Sequence, residues 1–165
     1  MSAPAAKNSP TLAVGGRAPD FTLQTDNEGD ISLAKLKGKN VVLYFYPRDD
    51  TPGCTIEAKD FRDRMEQFKA ANTVIIGVSR DSVESHEKFR KKFCLPFTLG
   101  SDESGKTCED YGVWVEKSMY GRTYMGIERT TFLIDAKGVI RKIWRKVKVP
   151  GHSEDVLNAL KELKA

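Results

Sequence analysis

A chain of 165 residues has room for one well-buried core and is too short for two ordinary domains. With 39% hydrophobic and 30% charged residues, its composition is that of a soluble globular protein rather than a disordered or membrane one. The net charge of +4 is modest, and no apolar run approaches the roughly 20 residues needed to cross a bilayer.

Residues 1–12 open with an Ala-, Ser- and Pro-rich stretch that lacks the apolar centre of a signal peptide. They are expected to be a flexible lead, with residues 13–165 a single domain in the cytoplasm. Phe21-Thr22-Leu23 and Ile31-Ser32-Leu33 alternate around Asp26-Asn27-Glu28-Gly29, which predicts a hairpin. Residues 41–46, an unbroken apolar run, predict a strand buried on both faces, as in a mostly parallel sheet. From Cys54 to about Ala70, Ile56, Ala58, Phe61, Met65 and Phe68 recur at three- and four-residue spacings and predict one helix. Residues 74–78 read as a second central strand and residues 82–93 as a second helix capped by Ser82. Phe97-Thr98-Leu99 follows as a short strand. A helix or helical turn is expected over 102–111, ended by Gly112. Residues 130–135 and 139–145 flank Ala136-Lys137-Gly138 as a hairpin, and 153–163 close the chain as an amphipathic helix.

The most informative segment is Pro47-Arg48-Asp49-Asp50-Thr51-Pro52-Gly53-Cys54, directly after the first central strand. It delivers one thiol to the first turn of a helix, where unpaired backbone N–H groups and the positive end of the helix dipole favour thiolate. Pro52 and Gly53 shape the turn, and Thr51 places a hydroxyl three residues before the sulfur. The other cysteines, Cys94 and Cys108, make an odd set without CxxC spacing, which argues against a secreted disulfide framework. With His86 and His152 isolated, no metal site is expected. No GxGxxG or Walker-type loop is present, so no nucleotide cofactor is implied. The basic stretch 141–148 is read as a strand with one solvated face in preference to a nucleic-acid contact.

Pro47, Thr51 and Cys54 in the pattern P-x-x-x-T-x-x-C resemble the active-site signature of peroxiredoxins, and Thr51-Pro52-Gly53-Cys54-Thr55-Ile56-Glu57-Ala58 resembles the Q-type, or bacterioferritin-comigratory, branch. The similarity continues through Gly77–Ser82, Phe97–Asp102, Tyr111–Trp114, Gly126–Asp135 and Trp144–Lys148. The resemblance implies a thioredoxin-like α/β fold with a central mixed sheet, an N-terminal hairpin and a helical insertion before the last hairpin. It implies a peroxidase acting on hydrogen peroxide and organic hydroperoxides, without a cofactor. Cys54 would become a sulfenic acid, Thr51 would accept from the peroxide, Pro47 would shield the sulfur, and Arg129 would hold the thiolate and the leaving oxygen. Glu57 would orient Arg129.

The chain departs from the branch at its resolving thiol. Lys59 stands five residues after Cys54, and Arg90 follows Ser85-His86-Glu87-Lys88-Phe89, the two places where such a cysteine is found. Cys94, one turn beyond Arg90, is a candidate resolving cysteine after local unwinding; an external thiol is the alternative. Cys108 is expected to pack. Thioredoxin, glutaredoxin or glutathione would recycle the protein, which is expected to be a monomer or weak dimer. Trp114 and Tyr120 are expected on loops that shape the pocket. Two other readings stand beside this one. A thioredoxin-type disulfide oxidoreductase is opposed by Thr51, which occupies the first-cysteine position of a CxxC. A holdase or nucleic-acid module would use residues 141–148.

Overall fold

The computed structural model describes residues 12–163, so the lead expected over 1–12 lies outside the described residues but for Leu12. Strands β1 (Thr22–Gln24) and β2 (Asp30–Ser32) form the N-terminal hairpin, and a 3₁₀ turn, Ala34–Leu36, leads into β3 (Asn40–Phe45). Helices α1 (Pro52–Asp63) and α2 (Met65–Ala70) precede β4 (Thr73–Ser79), helix α3 (Val83–Lys92) and β5 (Thr98–Ser101). The short helix α4 (Lys106–Asp110) is followed by β6 (Trp114–Met119), β7 (Arg122–Ile127), β8 (Thr130–Ile134), β9 (Ile140–Trp144) and helix α5 (His152–Leu163). No helix among the described residues is long and apolar enough to cross a membrane.

Seven strands form one sheet in the order β2-β1-β5-β4-β3-β8-β9. This is the thioredoxin-like α/β architecture. It is mixed rather than mostly parallel. Only β3–β4 and β4–β5 run parallel, because β8 and β9 return as a hairpin against β3, and β1 meets β5 antiparallel. The alternation of β3 serves two cores. Val42, Tyr44 and Tyr46 pack against Cys54, Ala58 and Phe61 of α1, while Val41, Leu43 and Phe45 pack against Tyr111, Val113 and Phe132. Burial on both faces explains the unbroken apolar run.

Three expectations are corrected. The helix expected from Cys54 to Ala70 starts earlier, with Pro52 in the N1 position that its missing N–H suits, and breaks at Arg64, whose guanidinium donates to Ser153 Oγ at 2.9 Å. Ile56 faces solvent. The helix expected over 102–111 shrinks to α4, because Asp102 turns its carboxylate onto the Thr107 and Cys108 amides at 3.2 and 2.8 Å. Beyond α4, the insertion before the last hairpin also holds a separate two-stranded ribbon that was not expected, β6–β7, with Tyr120 and Gly121 at positive φ in its turn. Trp114 is therefore a strand residue, and Tyr120 sits at the exposed tip.

Helix α5 is anchored by His152, which is buried with Nε2 2.8 Å from Thr131 Oγ1 and its ring edge-on to Trp144 and Phe61. Burial pulls its pKa down to about 4, Arg129 adding to the effect and Asp155 opposing it. An unfolded histidine takes its proton near pH 6.5 and the folded one does not until about 4. Acidification through that window therefore removes up to about 3 kcal/mol of stability. Denaturant unfolding at pH 7, 5.5 and 4.5 is expected to show a shallower loss in His152→Gln than in the wild type, from a lower starting stability.

Candidate active site

The loop of residues 46–51 leaves the C-terminal end of β3 at the centre of the sheet, and Thr51, in extended conformation, caps α1. Cys54 is thus the third residue of the helix and is buried, at 2% exposure. Its sulfur sits in the first turn of the helix, at the positive end of the dipole, and a guanidinium from a residue distant in sequence donates to it.

That guanidinium belongs to Arg129. The antiparallel register pairs Phe45 with Thr130, so the residue before β8 lies beside the Cys54 loop, 75 positions away in sequence. Arg129 Nη2 donates to Cys54 Sγ at 3.5 Å and Nη1 to Glu57 Oε1 at 2.6 Å. Burial works against the arginine's charge, but Glu57 and Cys54 outweigh it and hold its pKa up. Glu57, one turn after Cys54, is itself buried. Desolvation raises its pKa to about 7, with Arg129 opposing. Sequence reasoning saw Gly53 as a turn-former, yet its lack of a side chain is what admits Arg129. A Cβ there would lie 3.1 Å from Arg129 Nη2.

Thr51 Oγ1 donates to the Arg48 carbonyl at 2.9 Å, which leaves its lone pairs free to accept from a substrate. Pro47, Arg48 and Thr51 form one wall of an open groove of about 770 Å³ whose other wall is the β6–β7 ribbon, including Trp114, Lys117 and Met125. The structure therefore brings Cys54, Glu57 and Arg129 into contact, with Pro47 and Thr51 on the loop that leads into the same helix and along the groove. Cys94 stands apart. It is exposed and lies just past the α3 C-cap at φ +53°. All three cysteines are free thiols, and burial first, then Asp102, pushes the Cys108 thiol far up, as suits a packing residue.

A polar network not anticipated from sequence braces the loop. Asp49 accepts from Tyr46 Oη at 2.5 Å and Ser85 Oγ at 2.7 Å and lies 2.7 Å from His86 Nδ1, while Asp81 accepts from the Asp49 amide at 2.8 Å. Asp49, Asp81 and His86 bring three potential metal donors within 4.8 Å of one another. Each is already engaged by protein groups, with Gly100 O 3.1 Å from His86 Nε2 and Ser79 Oγ 2.6 Å from Asp81, so the cluster reads as a scaffold.

A family model described as AhpC/TSA family matches residues 14–143, and the chain belongs to that family. Within it the chain is a Q-type peroxiredoxin, a thiol-dependent peroxidase, as its relatives show. It is 51% identical over 153 residues to peroxiredoxin Bcp of Bacillus subtilis, covering 93% of this chain and 98% of that one. To peroxiredoxin Bcp of Escherichia coli it is 44% identical over 151 residues, covering 92% and 97%. Among solved structures, peroxiredoxin Q of Xanthomonas campestris superposes with a TM-score of 0.83 at 44% identity, over 86% of this chain and 90% of that one.

Two outcomes test the site. Gly53→Ala is expected to displace the Arg129 guanidinium by a few tenths of an ångström, lengthening its contact with the sulfur, and to slow oxidation of Cys54 by up to about 10-fold, less than the loss of a whole preorganised donor, measured by stopped-flow peroxide kinetics. Because the folded state holds the Glu57 proton more tightly than the unfolded chain, stability tied to it is full below pH 4.5 and is lost as pH rises through about 7. The stability of Glu57→Gln relative to the wild type is therefore expected to improve across that window in denaturant titrations.

Proposed function

We propose that Cys54 is the peroxidatic nucleophile, Thr51 and Arg129 the groups that align and polarise the peroxide, Pro47 the shield and Glu57 the residue that orients Arg129. The observation that carries this reading is Arg129 bridging Cys54 and Glu57 across Gly53. The thiolate attacks the terminal oxygen of a hydroperoxide. The S–O bond forms as O–O breaks, sulfur is oxidised by two electrons to the sulfenic acid, and the departing oxygen leaves as alcohol or water after taking a proton. Hydrogen peroxide and organic hydroperoxides both fit an open groove with apolar lining. The Xanthomonas campestris bacterioferritin comigratory protein, similar at 41% identity and a TM-score of 0.87, is described for alkyl peroxide reduction.

Cys94 is the resolving thiol in this reading. Its neighbour Phe93 is held on the helix that carries Cys54. The Phe93 carbonyl accepts from Arg62 Nη1 at 2.9 Å, and its ring lies under Lys59 Nζ. Arg62 is eight residues past Cys54, about 12 Å along the helix axis, whereas disulfide-bonded Cα atoms lie about 4.4–6.8 Å apart. The end of α3 therefore unwinds before Cys94 meets the sulfenic acid and releases water. Thioredoxin or a similar small dithiol protein then reduces the disulfide, in the cytoplasm and with the protein a monomer or weak dimer. In the basic segment β9 ends at Trp144, and of its exposed cations Arg141 is paired with Asp135.

Peptide mapping after one equivalent of peroxide is expected to find a Cys54–Cys94 bridge in the wild type and a Cys54 sulfenic acid in Cys94→Ser, while Cys54→Ser loses peroxidase activity. A lone sulfenic acid in both proteins would assign resolution to an external thiol. Full activity in Cys54→Ser would overturn the reading.

A further inference from the structure

Lys117 lines the groove, and the peroxidase reading gives it no role. It lies mid-strand in β6, paired in register with Tyr124. Its stem is laid across Gly126, where a Cβ would meet Lys117 Cδ at 3.3 Å and Cε at 3.5 Å, beside a Tyr124 ring carbon at 3.4 Å. The side chain is thus guided along the ribbon as it lines the groove shared with Pro47 and Thr51. Among the described residues it makes no ion pair, although seven other Lys and Arg side chains do.

We propose that Lys117 is a catalytic acid of the peroxide site, its ammonium on the ribbon wall meeting the departing oxygen of a hydroperoxide and giving it a proton. The inference rests on Cys54 being the nucleophile. Cys54 sulfur forms the S–O bond to the terminal oxygen, and the O–O pair of electrons leaves with the other oxygen. That oxygen takes a proton from the Lys117 ammonium, and the neutral amine recovers one from solvent. Thr51 and Arg129 set the attack, but both are placed by the Cys54 loop and the strand start behind it. The ribbon brings Lys117 to the wall of the groove that faces Pro47 and Thr51.

The electrostatic setting suits the role. Burial, and then Arg129, lower the Lys117 pKa, while Glu128 and Cys54 pull the other way, which makes its ammonium a readier donor at neutral pH than that of an unperturbed lysine. Arg48, Arg80 and Glu103 also line the groove. Both arginines lack a proton to give at such pH, and Arg80 is spent on the Trp114 ring and the Glu103 carbonyl.

The test measures oxidation of Cys54 itself in Lys117→Met and Lys117→Arg, by stopped flow, with peracetic acid, hydrogen peroxide and tert-butyl hydroperoxide as leaving groups of rising basicity. Alkylation by iodoacetamide, which needs the thiolate but no leaving oxygen, runs in parallel. Expected in Lys117→Met is a roughly 100-fold slowing with tert-butyl hydroperoxide, little change with peracetic acid, and unchanged alkylation. Lys117→Arg, with charge but no transferable proton, is expected to keep the steep dependence on the leaving group. Equal slowing with every oxidant, no slowing, full recovery in Lys117→Arg, or alkylation falling by the same factor would overturn the proposal. Because Cys54→Ser is scored separately, a wrong nucleophile and a wrong acid give different results.

Discussion

The chemistry depends on one close approach, that of a guanidinium to a buried sulfur over a residue with no side chain. Arg129 reaches Cys54 because β8 runs antiparallel to β3 in the register that sets Phe45 against Thr130. It stays there because Glu57, on the same helix as the sulfur, takes its other nitrogen. Three elements must agree for this: the central strand, the helix that follows it and the strand that returns beside it. A carboxylate buried against an arginine is a weak source of stability, since desolvation consumes most of the attraction. Its value here is geometric, because it fixes the direction in which a fixed positive charge points.

The loop between β3 and α1 is short of secondary structure, and its rigidity comes from side chains. Asp49 gathers Tyr46, Ser85 and His86, and through Asp81 the network also ties in the end of β4. The loop is thereby fastened to α3, the helix whose far end carries Cys94. That helix is stapled again at its other half, where Arg90 grips Asp26 through Nε at 2.9 Å and Nη2 at 2.5 Å. In the resemblance drawn from sequence, position 90 is where a resolving cysteine is found. Here it strengthens the attachment of α3 to the N-terminal hairpin instead. Cys94 lies beyond that staple, just past the C-terminal end of the helix.

Much of this was legible in the chain. The apolar run 41–46 and the Pro-Gly-Cys helix start are local signals, and they placed β3 and Cys54 correctly. Arg129 was legible only through resemblance, since nothing local in Glu128-Arg129-Thr130 says that a register will bring it to a sulfur 75 residues earlier. Gly53 was read for its turn, because a steric allowance for a distant side chain leaves no periodic trace. The ribbon β6–β7 was missed for a physical reason. Met119, Tyr120, Tyr124 and Met125 are exposed, so its strands show no clean alternation of buried and solvated positions. Its one usable signal was Tyr120-Gly121, a turn pair between two six-residue stretches. Asp102 was likewise taken as part of a helix, where its carboxylate instead sits outside the helix and caps it from a distance.

The missed ribbon changes how the site divides its labour. The groups that contact the sulfur lie on α1 and just before β8. The facing wall of the groove comes from a two-stranded outgrowth whose apolar side chains are largely in water. A two-stranded ribbon has marginal stability alone, so its shape is held where it joins the body. Val113 O accepts from the Glu128 amide at 2.8 Å, and Ile127 is buried in the second core. Those anchors flank Arg129 directly. The wall of the groove and the charge that faces the sulfur therefore share one short segment of backbone.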